Sequence, residues 1–270
     1  MIQYIDAPAG ASLMHFELLD RVGFVSHGFT TRLGGVSPGA MASLNMGFGR
    51  NGDPDRHVRE NYRRAVTGIG GRLEHLVKAH QVHGDRVVRV TRADIPGAGW
   101  YRQVKGYLDG MVTDAPGVVL STRYADCVPV FLADPVRRAI GLVHAGWRGT
   151  TLHIAQKGVA ALTEHFGSDP KDVVAVVGPS IGPCCFHVHA PVKAVFDRCC
   201  PDAPQRPLAD GRVAIDLWQA NRLQLLSAGL LPEHIQVAGL CTSCQQALFF
   251  SHRRDRGKSG LMSAMMMIQP

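Results

Sequence analysis

The sequence predicts one α/β domain, residues 1–270, built from mixed sheets covered by helices. Three observations carry this expectation. Short apolar runs of strand length recur at 128–133, 140–143 and 173–177, and the last of these is apolar at every position, as in a fully buried strand. Between them lie segments such as 58–69 and 152–166, whose apolar residues keep helical spacing. The two kinds of segment mix along the whole chain, and no internal repeat or low-complexity linker separates them.

Taken in order, residues 13–36 hold short apolar runs that end in His27-Gly28-Phe29-Thr30-Thr31-Arg32-Leu33-Gly34-Gly35. Glycines there permit backbone shapes closed to other residues, and Arg32 offers a cation to an anion; a plain glycine turn is the alternative. Ser43-Leu44-Asn45-Met46-Gly47 is a second polar loop. Asp53 as N-cap and Pro54 as first residue predict a helix with Val58, Tyr62, Ala65, Val66 and Ile69 inward, stopped by Gly70-Gly71. His80-Gln81-Val82-His83-Gly84 precedes a strand over 86–90. Alternation in an extended segment turns His80 and His83 to opposite sides, so one is a ligand candidate and the other structural. Residues 94–107, rich in glycine and without periodicity, read as an exposed loop or insertion.

Segments 109–114 and 117–122 suggest β-structure feeding a turn at Cys127. Two strands, 128–133 and 140–143, then form a hairpin over Asp134-Pro135, with Cys127 before the first and His144 ending the second. A helix over 151–166 follows, with Leu152, Ala155, Val159, Leu162 and Phe166 on one face. The run 173–177 ends in a rigid loop, Gly178 to Cys185. Pro191 opens a helix with Val192, Val195, Phe196 and Cys199 inward, and Asp216 caps another with Leu217, Ala220, Leu223 and Leu226 inward. Residues 235–240 and the methionines at 262 and 265–267 read as strands.

The formal charge of +7 and pI near 9.2 fit solubility, an anionic substrate or nucleic acid. The arginines are scattered, with no run of four basic residues and no basic segment interleaved with aromatics, so nucleic-acid binding is not expected. No apolar stretch approaches the roughly 20 residues of a membrane span, so no membrane association is expected either. The first residues lack a basic region followed by an apolar run, and the seven cysteines form no disulfide-scaffold pattern; a reducing cytoplasm is the expectation.

Chemistry is expected where His, Cys and Arg crowd strand ends and glycine loops. His83, Cys127 and His144 each lie at a strand end beside a glycine or a turn. Two imidazoles and a thiolate suit zinc, and three protein ligands leave a fourth position, as catalytic sites do. The same residues permit a nucleophile pair, with Cys127 attacking and His144 as base. Asp126 and Arg148 are candidates to support a ligand or touch substrate. Cys241 and Cys244 have metal-binding spacing, but no second such pair follows in sequence, so they are expected to be a core pair rather than a zinc ribbon. His187-Val188-His189 resembles a copper-ligand doublet, of which a trinuclear copper site needs several.

HQVHG at 80–84, DGMVTDAPGVVL at 109–120, ADCVPVFLADP at 125–135, HAGWRGT at 144–150, GPSIGPCC at 178–185 and FFSHRRD at 249–255 together resemble the YfiH-like family. Its members are also called laccase-domain or multicopper polyphenol oxidase-like proteins and are read as purine nucleoside phosphorylases. The resemblance implies a four-layer α/β/β/α sandwich and a zinc site (copper in an older attribution) at His83, Cys127 and His144. It implies phosphorolysis of adenosine, inosine, guanosine and S-methyl-5'-thioadenosine, with adenosine deamination beside it. Purine nucleosides and phosphate are then the partners, with Arg32, Arg148 and Arg253 as phosphate candidates and Asn45 as a polar substrate contact. Copper-dependent phenol oxidation and a Cys-His hydrolase or amidase editing peptidoglycan precursors are the alternatives. Two departures stand out: a longer segment around 94–106, and Leu261 where the family carries an arginine.

Overall fold

A strand that is apolar at every position needs a packed layer on each face. Strands Val128–Asp134 and Ala139–Ala145 are buried along their whole length. Val128, Val130, Leu132 and Val143 face one core, while Phe131, Ala133, Ile140 and Leu142 face another. The computed structural model describes all residues except 1, 7–9, 50, 51, 97, 98, 101 and 105, and it supplies both layers.

The hairpin is the centre of a six-stranded sheet ordered Ile235–Val237, Val174–Val177, Val128–Asp134, Ala139–Ala145, Gly110–Thr113, Val87–Arg89. Its inner pairings are antiparallel and its two edge pairings parallel. A seven-stranded sheet faces it, ordered Ile2–Asp6, Ser12–Phe16, Val25–Thr30, Met262–Ile268, Val119–Tyr124, Leu76–Lys78, Arg102–Gln103. Phe16, Phe29, Leu120 and Met266 from this sheet meet Phe131 and Leu142 from the other in the middle core. Helices Ile154–Phe166 and Leu217–Ser227 cover the six-stranded sheet, and helix Asp55–Gly68 covers the seven-stranded one. The result is the α/β/β/α sandwich. Met265 and Met267 face the helix Asp55–Gly68 while Met262 and Met266 face the middle core, which is why the last strand is apolar throughout.

Several local expectations change in the fold. Asp53 is not the N-cap of its helix; Pro54 is, and the Asp53 carboxylate instead accepts hydrogen bonds from Ser37 Oγ and Asn45 Nδ2, both at 2.7 Å. The single helix over 151–166 is two helices, Trp147–Thr151 and Ile154–Phe166, with His153 left-handed at φ 60° between them. The Thr150 carbonyl accepts from the His153 amide at 3.0 Å, a tighter turn that ends the first helix, and from Gln224 Nε2 at 2.7 Å. That contact also explains the helix Leu217–Ser227. Asp216 caps it as expected, accepting from the Gln219 amide at 3.0 Å, but Asn221, Gln224 and Leu225 turn inward in place of Leu223 and Leu226. Strand Ile235–Val237 stops short of 240 because Gly239 is left-handed at φ 65°. In helix Ala190–Cys199 Phe196 alone is fully buried.

The 94–107 segment is not simply an exposed loop where it is described. Trp100 packs its ring 5.4 Å from Phe48 and 5.7 Å from Tyr62, and Arg102–Gln103 adds a parallel edge strand to Leu76–Lys78. Residues 97, 98, 101 and 105 lie outside the described residues.

Candidate functional site

Asp134 fixes the hairpin. Its Oδ1 accepts from the amides of Val136 at 2.8 Å and Arg137 at 3.0 Å, closing the turn and setting Val128 opposite Ala145 and Pro129 opposite His144. Cys127 and His144 thus reach the same end of the sheet. His83 arrives from a separate loop, and what brings it there is Asp109, at the entry to strand Gly110–Thr113. The buried Asp109 carboxylate accepts from the amides of Val82 at 3.1 Å, His83 at 3.0 Å and Gly84 at 2.7 Å. Turning successive amides towards one anion makes a backbone nest, and here it includes His83 in the left-handed region at φ 62°. The fourth bond comes from His144 Nδ1 at 2.7 Å, which leaves Nε2 of that ring for a ligand.

His83, Cys127 and His144 each place a donor atom within 4.8 Å of the other two. Gly146 lies beside all of them: a Cβ there would stand 3.0 Å from His83 Cδ2 and 3.1 Å from Cys127 Sγ. A side chain at 146 would fill the cradle. Two imidazoles and one thiol around a space kept open by a glycine, with one imidazole oriented by a carboxylate, fit a metal ion. Without an ion the same groups pair with one another. Burial pushes the Cys127 thiol up, but His144 and His83 outweigh it and bring it down to about 6. Burial disfavours a charged His144, yet Cys127 and Asp109 raise it to about 9. Burial likewise works against the Asp109 charge, and His144 with the loop amides overcomes it, so the carboxyl lies below its ordinary value.

A cleft of about 540 Å³ opens over these three residues. Trp147, Phe186, Phe48 and Leu217 supply apolar wall, and Arg123, Arg148 and Arg253 supply charge. Arg148 is exposed, with its guanidinium 4.3 Å from the Trp147 ring. Arg253 donates through Nη1 to the carbonyls of Cys185 and His187, both at 3.1 Å. The other two candidate contacts lie off the cleft lining. Arg32 donates to the carbonyls of Ala42 and Gln246, at 3.0 and 3.2 Å. Asn45 is fully buried; its amide donates to Gly47 O and Asp53, and its oxygen accepts from the amides of Gly47 and Leu261. His80 packs edge-on against Tyr107 at 4.7 Å, and it is not in the group formed by His83. Asp126 accepts from Thr242 Oγ1 and the Arg253 amide, both at 2.7 Å, and so ties loops together.

Sequence reading missed Asp109 and Arg123. An aspartate before a strand carries no periodic signal, and only its four partners reveal its role. Arg123 follows Ser121 and Thr122 in strand Val119–Tyr124, and its Nε finds no acceptor among the described residues. The core-pair expectation for Cys241 and Cys244 also fails. Cys244 is exposed, and its Sγ lies 3.5 Å from those of both Cys184 and Cys185. His187 and His189 join no group of metal-ligating side chains among the described residues.

The family model described as multi-copper polyphenol oxidoreductase laccase matches residues 26–269. Purine nucleoside phosphorylase YlmD of Geobacillus stearothermophilus is 43% identical over 241 residues, covering 88% of each chain. A purine nucleoside phosphorylase of Deinococcus radiodurans is 40% identical over 240 residues, 89% of this chain and 88% of that one. The crystal structure of the Geobacillus YlmD superposes with a TM-score of 0.87 at 38% identity over 99% of both chains. YfiH of Bacillus licheniformis superposes with a TM-score of 0.88 at 36% identity over 98% of this chain and 99% of that one. With the same sandwich and a match over nearly its whole length, the chain belongs to the multi-copper polyphenol oxidoreductase laccase family.

Proposed function

We propose that this protein is a purine nucleoside phosphorylase that holds zinc at His83, Cys127 and His144 and also deaminates adenosine. The observation that carries the reading is the meeting of those three donors with an arginine-lined, partly aromatic cleft, in a chain whose relatives are named purine nucleoside phosphorylase. Adenosine, inosine, guanosine and S-methyl-5'-thioadenosine are the substrates this reading assigns. In phosphorolysis a phosphate oxygen forms a bond to C1' of the ribose, the bond from C1' to the purine N9 breaks, and the base leaves with that electron pair and takes up a proton. Arg148 and Arg253 hold the phosphate by charge-assisted bonds, with Arg123 beside them. Trp147 and Phe186 offer faces to the purine.

Bound zinc supplies Lewis acidity without redox chemistry. Asp109 keeps the His144 ring in the tautomer that offers Nε2, and Gly146 keeps the space between the ligands open. Arg32 and Asn45, already bonded to neighbouring loops, serve as scaffold in this reading. Seven cysteines without a disulfide among them support a protein that works in a reducing, cytoplasmic setting.

The test is phosphate-dependent release of hypoxanthine from inosine, measured beside metal content in wild type and His83→Ala. Release by wild type, with activity and zinc both reduced in the variant, is expected. Wild-type protein that releases no base in the presence of phosphate overturns the phosphorylase reading, and full metal retention in His83→Ala overturns the ligand assignment. A donor set of two His and one Cys also suits copper, so phenol-dependent oxygen uptake by copper-loaded protein is the outcome that would favour the oxidase reading. Hydrolysis by metal-free protein, abolished in Cys127→Ala, would favour the Cys-His pair as nucleophile and base.

A further inference from the structure

We propose that Cys184, Cys185, Cys241 and Cys244 form a second metal site, a closed tetrathiolate that takes one zinc ion as a structural clip. All four Sγ atoms lie within 4.8 Å of one another. Four sulfurs about 2.3 Å from a tetrahedral zinc stand roughly 3.8 Å apart, so the cluster needs only small side-chain adjustments to close on an ion. Cys244 contacts the sulfurs of Cys184 and Cys185 equally, at 3.5 Å each. A disulfide would use one of those contacts and leave two thiols in the same space.

The backbone around the sulfurs is arranged for thiolates. The Gly182 amide donates to Cys241 Sγ at 3.3 Å. Gly182 itself admits no side chain, since a Cβ would stand 2.6 Å from the Trp218 ring and 3.3 Å from Cys184 Sγ. Four thiolates complete the coordination of zinc and leave no position for water, which marks a structural rather than a catalytic centre. Soft sulfur ligands alone, with no imidazole or carboxylate in the group, also select against magnesium, calcium and manganese.

The site has a mechanical consequence. Cys184 and Cys185 end the loop after strand Val174–Val177, and Cys241 and Cys244 begin the loop after strand Ile235–Val237. Between these loops Ser180 and Cys241 form a parallel bridge, and the Thr242 amide donates to Ser180 O at 3.0 Å. Zinc would lock that junction. The first loop then presents the Cys185 and His187 carbonyls that anchor Arg253, while Thr242 on the second holds Asp126. The ion would therefore set the wall of the cleft without touching its contents. None of this depends on which reaction the cleft performs.

The test uses the full chain, isolated anaerobically, with metal counted by inductively coupled plasma and native mass spectrometry. In a His83→Ala background one equivalent of zinc is expected, and that equivalent is lost on adding Cys241→Ser or the exposed-site change Cys244→Ser. Cobalt(II) loaded into His83→Ala should show the sulfur-to-cobalt charge-transfer and ligand-field bands of a tetrahedral tetrathiolate, a readout that requires no cysteine variant to fold. Three results would overturn the proposal: equal zinc with and without Cys241→Ser and Cys244→Ser, cobalt bands of a centre with a single thiolate, or a protein mass lower by two hydrogens with a disulfide mapped to this cluster. Iron in place of zinc would overturn the zinc assignment.

Discussion

Four hydrogen bonds converge on the Asp109 carboxylate, three from loop amides and one from His144. Hydrogen bonds to a charged acceptor are worth about 1.5–3 kcal/mol each, enough to hold His83 in a left-handed conformation that costs of order 1–3 kcal/mol. Asp109→Asn puts an NH2 group where donors already point, so it should loosen the His83 loop and the His144 ring together. Zinc affinity is expected to fall by about 10- to 100-fold, read by chelator competition; an unchanged affinity would show that Asp109 does not position the ligands. Gly146 makes a second prediction at this scale. Its φ is −65°, so alanine meets no backbone strain, but the new Cβ meets His83 and Cys127 at 3.0 and 3.1 Å. Gly146→Ala should therefore weaken metal binding with a change in unfolding free energy of less than about 1 kcal/mol, measured by metal titration beside urea denaturation.

Among the elements, helix Ile154–Phe166 approaches the six-stranded sheet through Gly158. A Cβ there would lie 2.8 Å from Val143 Cγ2 and 2.9 Å from Leu132 Cδ1, both in a core without free space. Gly158→Val is expected to destabilise the fold by about 1–3 kcal/mol, despite valine's better helix propensity, because overpacking exceeds the propensity gain. The urea midpoint reads this directly, and a midpoint equal to wild type would mean that the helix can move off the sheet at no cost. Since Val143 precedes His144, any displacement passes straight to that imidazole. The break at His153 has a related setting: Asn221 donates to Thr150 Oγ1 and Gln224 to the Thr150 carbonyl, which also takes the His153 amide, so the first helix ends on a turn braced by helix Leu217–Ser227.

For the whole molecule, the joint between the two sheets carries a pH dependence. His27 is buried in it, stacked 5.7 Å from Phe16 and edge-on to Phe131 at 6.2 Å, with Nε2 accepting from the Phe16 amide at 2.9 Å. Burial, reinforced by His15 nearby, lowers it to about 3. An unfolded chain titrates this histidine near 6.5. Above that pH neither state holds the proton and the stabilisation is fully present. Below it the unfolded state takes up a proton that the native state refuses, so stability falls by about 1.4 kcal/mol per pH unit until the folded value is reached. His27→Gln, which can still accept from the Phe16 amide, should flatten the stability profile between pH 6.5 and 4.5 by close to one proton. A slope equal to wild type, from urea midpoints across that range, would place the proton uptake elsewhere.

That mixed sheets lie under helices could be read from sequence because it follows from local rules, whereas the four-layer stacking was implied by the family resemblance. Continuous apolar runs demand two covering layers, and the Asp134 turn sets a register that sends Cys127 and His144 to one sheet end. The α/β class, the hairpin and the capping of the last long helix by Asp216 all follow from neighbours in sequence. Tertiary structure decided what spacing cannot encode. His83 reaches Cys127 and His144 only through Asp109, 26 residues away. Arg32 and Asn45 resembled substrate contacts in sequence, yet Arg32 donates Nε and Nη1 to carbonyls and Asn45 is bonded within neighbouring loops, both off the cleft lining. Cys241 and Cys244 lacked a partner pair in sequence, and the fold brings them Cys184 and Cys185, 60 and 59 residues before Cys244. The hydrophobic period along a chain determines which faces are buried, whereas a polar site is assembled from loop ends whose meeting depends on how whole sheets and their crossovers pack.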